Sequence, residues 1–275
     1  MRILMAGAII SIVGMTAFGQ SLSVEEIVER HLNAIGGHEL RASRTNQLAI
    51  GTNSFESKLP ARRTEGRSVI ASDAGNHMFA STFNSQEYPS EKIGHFGGKV
   101  DMPWVTAGTR SPLGAFIKDH EKILTDGLLT GTMSMQWTIA NLEKTKGRVR
   151  ASGTKTVNGR RAYIIDYYPR GVSSDEFSIK LFFDVESFHH LRTEYFRMIP
   201  AKPQPFGALG VQGGVKMGLN ESFSNFRMAG GMILPHSYKL DYITDSNSGT
   251  AEYHWTIDIT QYMFNQKLAE DFFKF

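Results

Sequence analysis

The stretch Glu176-Phe-Ser-Ile-Lys-Leu-Phe-Phe-Asp184 alternates side-chain character: Phe177, Ile179, Leu181 and Phe183 point one way, and Glu176, Ser178, Lys180 and Asp184 the other. A period of two belongs to a β-strand with one buried face, because successive Cβ atoms of an extended chain leave on opposite sides. Only Phe182 departs from the pattern. Upstream, Arg148–Val157 meets Asn158-Gly159, a dipeptide that tolerates the positive φ angles of a two-residue hairpin turn. The chain returns as Arg160–Tyr168, with Tyr163, Ile165 and Tyr167 on one face. Downstream, residues 190–199, 220–228, 232–244 and 249–262 carry strand patterning, separated by turns that hold Gly230-Gly231 and Asn247-Ser248-Gly249. In the last of these, Tyr253, Trp255, Ile257 and Ile259 alternate with Glu252, His254, Thr256 and Asp258. Weaker strands read at 47–55, 67–72, 76–83 and 92–97. The spacing predicts a mainly β protein of the α+β kind: a curved antiparallel sheet or incomplete β-barrel of roughly nine to eleven strands wrapped over a few helices.

Helical patterning is confined to the first half. Ser23-Val-Glu-Glu26 reads as a capping box, Ile27, Val28, His31, Leu32 and Ile35 follow at helical spacing, and Gly36-Gly37 supplies the stop. Ser111-Pro112 opens a second helix whose stripe is Phe116, Ile117, His120, Ile123 and Leu124, ending at Asp126-Gly127. A short third helix is expected over 132–141. These stripes are too small to cover the apolar face of so long a sheet, so a concavity is expected between sheet and helices. Its candidate lining is the inward set Tyr163, Ile165, Tyr167, Phe177, Ile179, Leu181, Phe183, Tyr238, Leu240, Tyr242, Tyr253, Trp255 and Ile257. The tyrosines would give an apolar wall with a polar tip.

Of the 275 residues, 41% are hydrophobic and 21% charged, and 30 Lys+Arg against 27 Asp+Glu leave a formal charge of +3, which excludes disorder as the main state. With no clustered Lys/Arg run, nucleic acid is not an expected partner. At the start, Met1-Arg2 is followed by the uncharged run 3–18 and small residues at Ala17 and Gly19. That order is that of an export signal, so residues 1–19 are expected to be removed and 20–275 to form one domain. The absence of cysteine rules out disulfides, thiolate metal sites, Cys nucleophiles and a lipid-bearing Cys at the cleavage point.

Catalytic signatures are missing: there is no H-E-x-x-H, no G-x-S-x-G and no S-x-x-K with partners. His31 and His38 lack the i,i+4 spacing and third ligand that a metal requires, and His189-His190 are adjacent on a strand and face opposite sides. Asp166, Asp184 and Asp241 sit on or beside strand ends, where solvated and turn-capping roles are common. The glycines of 200–218 lack both the spacing and the strand-to-helix setting of a nucleotide loop and read as an irregular excursion. No catalytic residue, cofactor or metal is expected, and no enzymatic activity.

Several segments together resemble a known family. His31-Leu-Asn-Ala-Ile-Gly-Gly37, Val157-Asn-Gly-Arg-Arg-Ala-Tyr-Ile-Ile-Asp166, Leu181-Phe-Phe-Asp184 with Leu191-Arg-Thr-Glu194, Phe226-Arg-Met-Ala-Gly-Gly-Met-Ile-Leu-Pro235 and Asn265-Gln-Lys-Leu-Ala-Glu-Asp-Phe272 are similar, in order and content, to framework motifs of the LolA/LolB-like lipoprotein-sorting superfamily. The resemblance implies an incomplete antiparallel barrel over helices, with an apolar cavity that in true carriers accepts lipoprotein acyl chains. It carries no functional residue, because these motifs set turns and strand pairing. The expected function is a non-enzymatic periplasmic binding or carrier protein of a Gram-negative-type bacterium. It would take a lipid or lipoprotein acyl chain, with an envelope protein as a further partner. Two other readings stand beside it: a small outer-membrane β-barrel, suggested by alternating strands and by Phe275 after Phe272-Phe273, and a hydrolase on the same scaffold.

Overall fold

The computed structural model describes residues 22–174, 177–201 and 214–275. The expected export signal, Glu176 and most of the 200–218 excursion lie outside those residues. Twelve strands form one antiparallel sheet in the order β5-β4-β3-β2-β1-β12-β11-β10-β9-β8-β7-β6. From the middle of the sheet, β1 (Asn46–Lys58), β2 (Ala61–Asp73), β3 (His77–Phe83), β4 (Ser90–Phe96) and β5 (Lys99–Asp101) meander to one edge. Residues 102–147 then cross to the other edge. From there β6 (Arg148–Val157), β7 (Arg160–Tyr168), β8 (Phe177–Asp184), β9 (His190–Ile199), β10 (Val215–Ala229), β11 (Met232–Ser246) and β12 (Gly249–Phe264) return to pair with β1. The three-residue β5, too short to show a period, is the strand that sequence patterning misses.

The turns behave as their chemistry requires. Asn158 and Gly159 adopt φ of 49° and 78° between β6 and β7. Gly230 and Gly231, at φ 54° and 83°, join β10 to β11, and a Cβ on Gly230 would lie 2.6 Å from the Phe264 ring. Helix α1 (Val24–Ile35) has the reciprocal Ser23–Glu26 capping box and stops before Gly36, after which α2 (His38–Ala42) follows at once.

One face of the sheet is concave and apolar. Phe177, Ile179, Leu181, Phe183, Trp255, Ile257 and Ile259 are buried in the main core, and Tyr253 packs against it. The exception Phe182 is buried on the opposite face with Val157, Ala162 and Leu191. A third cluster puts Phe273, with Phe272 and Phe275 beside it, against Leu48, Ala71 and Met78 on that convex side. The C-terminal aromatic residues thus close over the sheet's outer surface. The sheet is a curved, open one whose order ends at β5 and β6, and not a closed barrel.

The crossover fills most of the concavity. The helix expected from Ser111 to Leu124 is broken in two, α3 (Pro112–Asp119) and α4 (Lys122–Thr125), because His120 leaves helical geometry and stacks flat on Phe177, ring centroids 4.1 Å apart. Leu113, Phe116 and Ile117 on one half and Ile123 and Leu124 on the other all enter the core. The helix expected over 132–141 is instead two 3-10 turns, Gly131–Met133 and Thr138–Ala140, before the short α5 (Leu142–Thr145). The physical reason lies in the backbone groups, which sheet side chains take up. Gln47 donates to the Met133 carbonyl at 2.9 Å, the Met135 amide donates to Ser72 Oγ at 2.8 Å, and the Thr130 amide donates to Glu221 Oε2 at 2.7 Å. A regular helix would have kept such groups for its own ladder.

Two carboxyls anchor the crossover. Glu91 of β4 accepts from Ser111 Oγ, the cap of α3, and from Tyr88 at 2.6 Å. Glu221 of β10 accepts from Thr130, Tyr195 and Tyr238. Burial pushes both carboxyls up from 4.5 to about 7, while the hydrogen bonds they accept act in the opposite direction. Trp137 of the crossover donates to His31 Nε2 at 3.0 Å and stacks on His190, and His31 Nδ1 lies 2.8 Å from the Phe188 carbonyl, which makes His31 a neutral donor there. Burial lowers the His31 pKa to about 3 and drives that of His190 well down.

Two outcomes are expected. Leu181→Asp, which places an unpaired charge in the core, should cost more than about 3 kcal/mol in urea unfolding, with the m-value retained. Glu221→Gln should change the pH dependence. Because the folded carboxyl titrates near 7 and an unfolded one near 4.5, its contribution is complete below pH 4.5 and falls as pH rises to 7. Wild type should therefore lose stability relative to the variant across that window, by on the order of 3 kcal/mol. The buried histidines are common to both proteins and cancel in the difference. A difference independent of pH would contradict the assignment.

Candidate functional site

A cavity of about 580 Å³ lies where α1 and α2 face the crossover above the start of β1. One wall is Ile35, His38, Arg41, Ala42 and Arg44 with Gln47 of β1 and Met232 of β11, and the other is Lys122, Thr125, Asp126, Met135, Gln136, Trp137, Ala140, Asn141, Lys144 and Thr145. His38, Ala42, Thr125 and Lys144 are exposed and stand at its mouth, whereas Ile35, Arg44, Gln47, Asp126, Trp137 and Met232 are buried. The apolar share comes from Ile35, Met135, Trp137, Ala140 and Met232.

The charged side chains of the lining are mostly cationic, Arg41, Arg44, Lys122 and Lys144 against Asp126. Arg44 is 8% exposed, donates from Nη2 to the Gly230 carbonyl at 2.7 Å and lies over the Phe264 ring at 3.5 Å. Arg41 donates to the Gly36 carbonyl. Burial lowers the pKa of both guanidinium groups, although each stays charged at neutral pH. Asp126, the acid in this lining, is committed to Tyr167 at 2.8 Å and Lys122 at 3.4 Å.

The residues read from the sequence as cavity lining lie elsewhere on the same concave face. Ile165, Tyr167, Phe177, Ile179, Leu181, Phe183, Tyr238, Leu240, Tyr242, Trp255 and Ile257 are buried in the core, with Tyr163 and Tyr253 packed against it. None borders the 580 Å³ cavity, while Tyr167, Phe177 and Ile179 border a smaller groove of about 390 Å³ beside Arg150, Asp166 and Lys180. The sheet carries them to one face, and the crossover covers them there. Sequence reading passed over Arg44, Gln47 and Trp137. For Gln47, Glu91 and Glu221 a signal was present, since each stands in the inward phase of its strand, where a polar residue needs a partner.

Acid–base chemistry finds little to work with. Glu91 and Glu221 are fully enclosed by their donors and border neither opening. Ser134 Oγ lies 3.3 Å from His77 Nδ1, a long contact, and His77 Nε2 has no orienting partner. Burial, with His95 close by, lowers the His77 pKa to about 3, which makes it a poor general base. Asp166 is paired with Arg150 and Lys180, Asp184 accepts from the Ser187 amide and pairs with Arg160, and Asp241 meets His254. Among the described residues no three His, Asp or Glu side chains are grouped to hold a metal ion, and no helix is long and apolar enough to cross a membrane.

No protein-family model matches the chain, and no curated protein does. Among solved structures, it is similar to a domain from Vibrio parahaemolyticus named for outer membrane lipoprotein sorting, at 10% identity and a TM-score of 0.47, over 90% of this chain and 95% of that one. It is similar to a LolA superfamily protein from Nitrosomonas europaea at 14% identity and a TM-score of 0.47, covering 92% and 98% of the two chains. A DUF1329 family protein from Desulfovibrio piger shares 8% identity at a TM-score of 0.43, over 91% and 97%.

Proposed function

We propose that this chain is a non-enzymatic binding or carrier protein for an apolar ligand, and that the ligand enters the cavity between α1–α2 and the crossover. The observation that carries the reading is the cavity itself. At about 580 Å³ it falls within the range typical of small-molecule sites, and it is larger than the groove of about 390 Å³ beside Tyr167, Phe177 and Ile179. Burial of an acyl chain there contributes roughly 0.8 kcal/mol per methylene without any catalytic group. In this reading residues 1–19 are an export signal, 20–275 form the binding unit, and the protein works in the periplasm of a Gram-negative-type bacterium. A lipid or lipoprotein acyl chain is its ligand, and an envelope protein receives or delivers it. The buried aromatic face beneath the crossover is the apolar surface that a chain longer than the cavity would meet.

Titration of the mature chain with a fluorescent fatty-acid analogue tests this. Wild type should bind saturably, and Ala140→Trp, which fills the cavity from the crossover side, should weaken binding at least about tenfold while thermal unfolding is preserved. Absence of saturable binding by wild type, or equal binding by a folded Ala140→Trp, would remove the cavity as the ligand site.

A further inference from the structure

We infer that the cavity receives the negatively charged head of an amphiphile, a carboxylate or phosphate group held among Arg41, Arg44, Lys122 and Lys144 with the apolar chain against Trp137, Ala140 and Met232. This rests on the proposed function, whose site it specifies.

Four cations meet one acid in this lining, although the whole chain carries a surplus of only three charges. The acid, Asp126, already accepts from Tyr167 and Lys122, so it leaves the other three cations without a carboxylate from the lining. The cations come from both walls. Arg41 and Arg44 stand on the α2 side, and Lys122 and Lys144 on the crossover, so a single anion between them would be approached from opposite directions. Arg44 is the deepest of the four. Its Nη2 is used by Gly230, but its Nε and Nη1 are buried and have no hydrogen-bond partner. Thr132 Oγ1 and Gln136 Nε2, on residues of the same lining, are buried and unpartnered as well. Buried donors left unmade are costly, and a guanidinium more than a neutral group. The one chemistry that answers all of these groups is an oxygen acceptor with negative charge, and carboxylate and phosphate both match the planar fork of arginine. Beside these groups Ile35, Met135, Trp137, Ala140 and Met232 give an apolar patch, joined through Trp137 and Ala140 to the main core, which suits the chain of an amphiphile better than a free, fully hydrated anion.

Isothermal titration of the mature protein with dodecyl phosphate, dodecanoate, dodecanol and inorganic phosphate separates the sources. The expected result is saturable binding of the two charged amphiphiles, at least about tenfold tighter than dodecanol. Inorganic phosphate should bind far more weakly than dodecyl phosphate. In Arg44→Gln the preference for charge over dodecanol should collapse. Because Arg44 also holds Gly230 and Phe264, Lys144→Gln, at the exposed mouth, provides a second variant that leaves those contacts and the Lys122–Asp126 pair in place, and it should reduce the same preference. Dodecanol binding as tightly as dodecyl phosphate would overturn the inference and leave the proposed function standing. Inorganic phosphate binding as tightly as dodecyl phosphate would keep the anion site and overturn the apolar-ligand reading. Binding by none of the four would overturn both.

Discussion

The structure depends on how an irregular segment is made to cross the inside of a curved sheet. Strands β1 to β5 end at one edge and β6 begins at the other, so residues 102–147 have the width of the sheet to span. A backbone that runs over an apolar surface without regular structure would leave amides and carbonyls unpaired, at a cost of a few kcal/mol each. Here the sheet supplies the partners from its own inward side chains: Gln47 from β1, Ser72 from β2, and Glu221 from β10. Glu91 and Tyr167 perform the same task for the side chains of Ser111 and Asp126. These polar groups interrupt an apolar face, and each is tolerable only because the crossover is present. The dependence runs both ways, since without those side chains the crossover could not be buried.

That mutual dependence also explains where space is left. Over most of the concave face, apolar residues of α3, α4 and the 128–139 stretch pack with strand residues in one buried cluster. Near α1 and α2 the crossover turns away toward β6, and its partners change from strand side chains to the His31–Trp137 contact. The opening between α2 and α5 is therefore a seam between two ways of covering the sheet, and its walls mix core residues such as Ile35 and Met232 with cations carried on short helices. The buried acids Glu91 and Glu221 and the buried neutral histidines His31 and His190 respond oppositely to acid. The stability of the covered state is thus tied to pH through groups that never reach solvent.

Local patterning was sufficient for much of this chain. Alternation in β8 and β12 reports which face is buried, Asn158-Gly159 and Gly230-Gly231 report their turns, and Ser23 with Glu26 reports the start of α1, because each depends on residues adjacent in sequence. Phe182, which breaks the alternation, proved to serve a second cluster on the convex side, a contact between strands that a single strand's period does not reveal.

By itself, then, the sequence determined an antiparallel, curved sheet with its apolar face inward, a capped first helix and the place where helical and extended patterning change over. Only the tertiary structure decided that the chain between Met102 and Gly147 would lie across that face, that the inward tyrosines and tryptophan would be covered by it, and that the open space would be bounded by Arg44, Trp137 and Lys144. The physical reason is range: strand and turn propensities act between neighbours, whereas a cavity is what remains when segments up to 220 residues apart, such as Asn46 and Gln266, have been brought together and packed.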